Sequence, residues 1–161
     1  MWPVVALDGL ALLLAYFMPA LAHLSSIPLY VIEPFRLVVL ASLVLMNNKR
    51  NAFLLAGTLP FFSYAVATHP LLAKSFLMSV ELIINVFVYT FLNKKIGRPF
   101  ISLLLSIGIS KFFYYLMKYC FISFGILSMS LVSTSILIQT IVAIITSLLF
   151  SSIQRRLVIH E

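Results

Sequence analysis

Long apolar runs alternate with short polar turns along the whole chain. The turns are marked by Ser, Asn, Lys, Arg, Gly and Pro, and each run between them is about as long as a helix that crosses a bilayer. Such a helix needs about 20 predominantly apolar residues. The pattern predicts six transmembrane helices, at about residues 3–22, 28–46, 52–68, 71–92, 100–122 and 131–150. We therefore expect an all-α bundle that forms a single integral membrane domain over residues 1–161.

Composition favours the same class. The chain is 63% hydrophobic and only 9% charged, whereas soluble domains have about 25% charged residues. The net charge of +7 does not indicate nucleic-acid binding, because no basic face with interleaved aromatic residues is present. Cys120 is the only cysteine, which excludes an internal disulfide and a cysteine-rich metal site. We expect neither a metal nor a cofactor.

The distribution of basic residues predicts the orientation. Those in the turns after the second and fourth helices and near the C-terminus are Lys49, Arg50, Lys94, Lys95, Arg98, Arg155 and Arg156. The turns after the first and fifth helices contain no Lys or Arg. By the positive-inside rule, both termini lie in the cytoplasm and the protein is a multi-pass protein of the inner (cytoplasmic) cell membrane. Ala20-Leu21-Ala22 resembles a signal-peptide cleavage site, but no basic residue precedes the first helix, so we expect no cleavage.

A few polar residues inside or next to the predicted helices are the candidates for function. Within each helix they share one face, because residues three or four apart on a helix are neighbours. One of them, His69, lies in a turn beside Pro70, where a surface cap or gate is its ordinary role. The candidates for binding a substrate are Glu33, Arg36, His69, Glu81, Asn85, Lys111 and Tyr115.

Four of these residues carry charge and fall at compatible depths. The predicted orientation places Glu33, Arg36, Glu81 and Lys111 between the outer half and the middle of the membrane, where their formal charges sum to zero. Charged residues inside a membrane pair with one another or mark a substrate site. Depth alone does not separate a structural cluster from a ligand pocket open to the outside. Lys118 stands nearer the outer end of its helix, where its ammonium can reach the surface.

The inner halves of the predicted helices are much less polar. A channel or a proton relay carries polar groups along its whole length, so we expect capture from the outer side without a path across. The captured ligand is expected to be a small polar or mixed-charge molecule, because the predicted site offers it two cationic side chains and two carboxylates. The first helix also carries Ala11 and Ala15 one turn apart, and small residues in this spacing let another helix approach closely. Docking of a partner and internal packing are both open for them.

Four features of the sequence occur together: six predicted helices, both termini inside, the layout from His69-Pro70 to Glu81, and Ala11-x-x-x-Ala15 in the first helix. With these features the chain resembles the substrate-binding S components of energy-coupling factor (ECF) transporters. The resemblance implies a six-helix membrane subunit that binds a vitamin or similar micronutrient in a pocket open to the outer side. It also implies docking, through Ala11 and Ala15, on a transmembrane coupling subunit with two cytoplasmic ATPases. No nucleotide-binding motif occurs in the chain itself.

Three other functions stay open. A non-catalytic scaffold of the cell envelope, like the rod-shape-determining membrane subunit, has a similar size and helix count, and there the buried charges would be structural pairs. An intramembrane enzyme could use His69, Glu81 and Lys111 as acid–base groups, but the chain lacks a nucleophile–base spacing and a His-Glu-x-x-His motif. We therefore do not expect an enzyme. A self-sufficient carrier that works as a dimer is the last alternative.

Overall fold

The computed structural model describes residues 2–24, 32–67, 71–132 and 135–159. Over these residues the chain is all-α, without a strand, which confirms the all-α part of the predicted fold class. Its elements are α1 (Trp2–Leu24), α2 (Pro34–Leu40) continued by a π-helical turn (Ala41–Leu45), α3 (Lys49–Ala67), α4 (Leu72–Ile96), α5 (Pro99–Ser123) and α6 (Ile136–Ile159).

Three helices in the described part are long and apolar enough to cross a membrane: Leu72–Ile96, Pro99–Ser123 and Ile136–Arg156. Two shorter apolar helical segments, Trp2–Phe17 and Pro34–Leu45, accompany them. Large apolar side chains cover the outside of the bundle. On α6, for example, Ile136, Leu137, Ile145 and Leu149 are each more than half exposed. Lipid tails, unlike water, cover such a surface without cost. This is the surface expected of a membrane protein.

Local features set the ends of two helices. Helix α2 begins at Pro34, because Glu33 at its N-cap takes a left-handed conformation (φ 52°); the predicted start near residue 28 lies outside the described residues. Proline fits the first position of a helix, where its missing N–H removes no helical hydrogen bond. The last helix runs from Ile136 to Ile159 rather than over 131–150. It continues through Arg155 and Arg156, because basic residues are favourable in the last turn of a helix.

The bundle is built around α4, which packs between α3 and α5 and also contacts α2. Small residues line these interfaces, so the backbones can approach closely. On α4, Ser79 donates a hydrogen bond to the carbonyl of Gly57 on α3 (3.3 Å). On α5 the fully buried small residues recur every four positions, at Ser102, Ser106 and Ser110. Their spacing places all three on one face of α5.

Ala11 and Ala15 are fully buried in the hydrophobic core. Helix α1 packs on α3 and α2, and the two methyl groups let it lie close to its neighbours. A partner helix cannot reach side chains that the chain's own helices already cover. Of the two roles left open for these residues, this placement favours internal packing over a docking face.

Polar contacts join α1, the π-helical turn and α3 at the end of the bundle where α3 begins. Asn51 Nδ2 donates to Asp8 Oδ1 on α1 (2.7 Å) and to Ser42 Oγ in the π-helical turn (3.1 Å). Asn48 Oδ1 accepts the backbone N–H of Asn51 (3.1 Å), which is the N-cap bond of α3. Asn47 (φ 48°) makes the left-handed turn between the two helices, and Asn tolerates this conformation better than most residues.

Candidate functional site

Four charged side chains from three helices form one closed set of ion pairs. The Arg36 guanidinium of α2 pairs with both Glu33 and Glu81, and the Lys111 ammonium of α5 pairs with the same two carboxylates. The distance from Lys111 Nζ to Glu81 Oε1 is 3.1 Å. Each carboxylate therefore lies between the same two cations, and the formal charges cancel. We call these four residues the ion ring.

The start of α2 positions one side of the ring. The Glu33 carbonyl accepts the backbone N–H groups of Arg36 (2.9 Å) and Leu37 (3.2 Å), so the first turn of the helix sets the place of the arginine. Glu33 holds a left-handed backbone (φ 52°), which costs a residue with a side chain about 1–2 kcal/mol. Strained residues of this kind persist where their surroundings fix them, and they cluster at binding and switch sites.

The ring has a dry half and a more accessible half. The side chains of Arg36 and Glu81 are 5% and 7% exposed, whereas those of Lys111 and Glu33 are 22% and 21% exposed. Removing one partner of a buried pair leaves an uncompensated charge and costs about 3–5 kcal/mol. A small molecule would therefore reach the Glu33–Lys111 edge first and leave the Arg36–Glu81 pair in place.

Asn85 lies one turn from Glu81 on α4 and is fully buried. Its Nδ2 donates to Ser106 Oγ on α5 (3.0 Å), and the Ser106 hydroxyl donates in turn to the Leu103 carbonyl (2.8 Å). This chain of bonds leaves Asn85 Oδ1 without a hydrogen-bond partner among the described residues, and Arg36 Nε is in the same position. Unpartnered buried groups cost about 1–3 kcal/mol each. An acceptor and a donor near the ring are thus unused.

The aromatic ring beside the lysines of α5 is that of Tyr114. Its centroid lies 5.5 Å from Lys111 Nζ and 5.9 Å from Lys118 Nζ. The hydroxyl of Tyr115, the tyrosine predicted to bind substrate, donates to Gln139 Oε1 on α6 (2.8 Å). This contact places Tyr115 at the α5–α6 interface. The spacing of Tyr114 from both lysines, three and four residues, was a usable signal.

Lys118 is also placed differently from the expectation that its ammonium reaches the surface. The residue is 2% exposed, and its Nζ donates to the carbonyl of Leu131 in the segment after α5 (2.8 Å).

His69 lies outside the described residues. Within the described ranges no three His, Cys, Asp or Glu side chains gather as a metal site.

Comparisons with known proteins do not assign a family. No family model, no curated protein and no solved structure matches the chain. The geometry of the site is therefore the ground for any assignment of function.

Proposed function

We propose that this protein is a membrane-embedded binding subunit that captures a small polar molecule of mixed charge from the outer side of the membrane. The ion ring, with its accessible Glu33–Lys111 edge, is the observation that carries the proposal. A ligand carboxylate can replace Glu33 at Lys111, and a ligand ammonium can replace Lys111 at Glu33. Each exchange keeps the local charge balanced, which a buried site requires.

The unused hydrogen-bonding groups support the same function. Arg36 Nε can donate to a ligand oxygen, and Asn85 Oδ1 can accept from a ligand N–H or O–H group. Binding sites combine a few such polar groups with apolar and aromatic walls. Tyr114, whose ring lies beside Lys111, supplies an aromatic wall. Micronutrients with a charged head group are the ligand class that fits this combination.

Uptake by such a subunit needs a second component. The chain contains no nucleotide-binding motif, so a partner would have to supply the energy for release. As in the ECF transporters that the chain resembles, a transmembrane coupling subunit with cytoplasmic ATPases would drive release to the inside. Because Ala11 and Ala15 are buried, the docking surface for this partner would lie elsewhere on the bundle.

A structural role is the second candidate, and the closure of the ion ring favours it. All four charges already have partners inside the chain, so a scaffold of the cell envelope could use the ring only to join α2, α4 and α5. A buried pair in such a role is replaceable by well-packed apolar residues without loss of stability. A bound small molecule separates the two functions.

The proposal is tested by thermal unfolding of the detergent-purified protein against a panel of amino acids and mixed-charge water-soluble vitamins. A ligand that binds the folded state at about 100 times its Kd stabilises it by about 2.7 kcal/mol. We expect at least one compound to raise the unfolding midpoint of the wild type and of Lys95→Met, but not that of Lys111→Met. Lys95→Met removes the same charge at an exposed position on α4. A panel without any such compound would favour the scaffold.

A further inference from the structure

Two lysines that the ion ring does not use face each other across the α4–α5 interface. The contacts Glu81–Lys111 (3.1 Å) and Asn85–Ser106 (3.0 Å) fix the antiparallel register of the two helices. Lys74 lies seven residues before Glu81, and Lys118 lies seven residues after Lys111. Seven residues make two helical turns, so both lysines lie on the same faces as the ring residues, about 10 Å farther along the bundle.

Among the described residues no carboxylate remains to neutralise this pair. The sequence contains four acidic residues. Glu33 and Glu81 belong to the ion ring, and Asp8 accepts from Asn51 at the other end of α1 and α3. The fourth, Glu161, lies outside the described residues. The region around Lys74 and Lys118 therefore carries an excess of positive charge.

The surroundings of Lys118 make this excess costly. Its ammonium has three donors, and its partners among the described residues are one backbone carbonyl, that of Leu131, and the face of the Tyr114 ring. Lys74 is half-buried, and the register of α4 and α5 places it opposite Lys118. Buried charges in proteins are paired or bind an ion of opposite charge. Two facing ammonium groups beside an aromatic ring are the donor set of an anion site.

We infer that Lys74 and Lys118 bind an anionic group, a carboxylate or a phosphate, between α4 and α5. This inference rests on the proposed function and extends it, because the captured molecule then carries an anionic group about 10 Å from the part that meets the ion ring. The phosphate of a lipid head group has the same chemistry, and the experiment separates the two sources.

The test uses the full chain, purified in dodecyl maltoside and freed of lipid. The unfolding midpoint is measured while inorganic phosphate replaces chloride at constant ionic strength, for the wild type, Lys74→Met, Lys118→Met, Lys118→Arg and Lys95→Met. We expect a saturable rise for the wild type, Lys118→Arg and Lys95→Met. The apparent affinity for phosphate should fall by about tenfold or more in Lys74→Met and Lys118→Met, since a hydrogen bond to a charged group is lost. An equal response of all variants would overturn the inference, and so would the absence of any response both to phosphate and to the anionic lipid of the second arm.

A second arm identifies the source of the anionic group. Phosphatidylglycerol is added to the micelles in place of inorganic phosphate, with an uncharged glycolipid as its control. A lysine-dependent response to phosphatidylglycerol alone assigns the site to a lipid head group, and a response to inorganic phosphate assigns it to a free ligand. Without any anion, Lys118→Met is expected to unfold no earlier than the wild type, because it removes an uncompensated charge.

Glu81→Gln separates this inference from the proposed function, because it breaks the ion ring and leaves both lysines in place. If the phosphate response persists in this variant while no mixed-charge compound binds the wild type, the anion site stands and the proposed function fails. If a mixed-charge compound binds and neither phosphate nor phosphatidylglycerol does, only the anion site fails.

Discussion

At the scale of single residues, the burial of Arg36 depends on its two carboxylates, and these differ in exposure. Glu81 is 7% exposed and Glu33 is 21% exposed. We expect Glu81→Gln to lower the free energy of unfolding by about 3 kcal/mol, because a buried cation loses a buried partner. Glu33→Gln, the matched control, should cost about 1 kcal/mol, nearer the range of exposed pairs. Denaturant unfolding in detergent measures both, and equal losses would contradict the division of the ring into two halves.

Replacing the dry pair as a whole separates its structural role from binding. In Arg36→Met/Glu81→Leu the Glu33–Lys111 pair remains and the formal charge stays zero. We expect a stability within about 1.5 kcal/mol of the wild type, because a well-packed apolar pair substitutes for a buried ion pair. The same variant should lose the ligand found with the wild type. A double variant that unfolds like Glu81→Gln would contradict this, and so would one that keeps the ligand.

The sequence predicts which charged residues meet, but it leaves their pairing undetermined. Charged side chains buried in an apolar chain are expected to pair when they lie at similar depth. Ion pairs do join Glu33, Arg36, Glu81 and Lys111. Depth does not specify the direction in which a side chain points around its helix. For this reason the sequence points to Tyr115, although its neighbour Tyr114, about 100° away around α5, is the ring beside the lysines.

At the scale of helices, the close packing of α1 against its neighbours can be tested by substitution. Ala11 and Ala15 are fully buried, so Ala11→Leu or Ala15→Leu should overpack the interface of α1 with its neighbours and cost about 1–3 kcal/mol. Leu13→Ala, at a position that is 57% exposed on the same helix, is the control with little expected effect. Leucine variants with wild-type stability would restore the interpretation of a docking face.

The elements were predictable where apolar periodicity is long and uninterrupted. Helices α4 and α5 were predicted at 71–92 and 100–122 and are found at Leu72–Ile96 and Pro99–Ser123. The start of α2 at Pro34 was not predictable, since it depends on the left-handed backbone of Glu33. The π-helical turn that continues α2 was not predictable either, since it depends on packing against α3 and α6. A π-helical turn is rare and leaves no pattern of apolar positions.

At the scale of the whole molecule, the predicted orientation is open to a direct test. In a Cys120→Ser background, single cysteines are placed at Ser128, in the connection between α5 and α6, and at Lys95, near the end of α4. Both positions are exposed. We expect a membrane-impermeant maleimide to label Ser128→Cys on intact cells and Lys95→Cys only after permeabilisation, because basic turns face the cytoplasm. The reverse pattern would invert the topology and place the ion ring nearer the inner side.

The central claim is that the ion ring serves a captured molecule, and native mass spectrometry of the protein as purified in mild detergent tests it most directly. Any small molecule that remains bound to the wild type is extracted and identified, and Glu81→Gln and Lys111→Met are treated in the same way. We predict a stoichiometric molecule of mixed charge with the wild type and its absence from both variants. A folded, empty wild type, with variants that differ only in stability, would contradict the claim and leave the ring as a structural joint of a membrane scaffold.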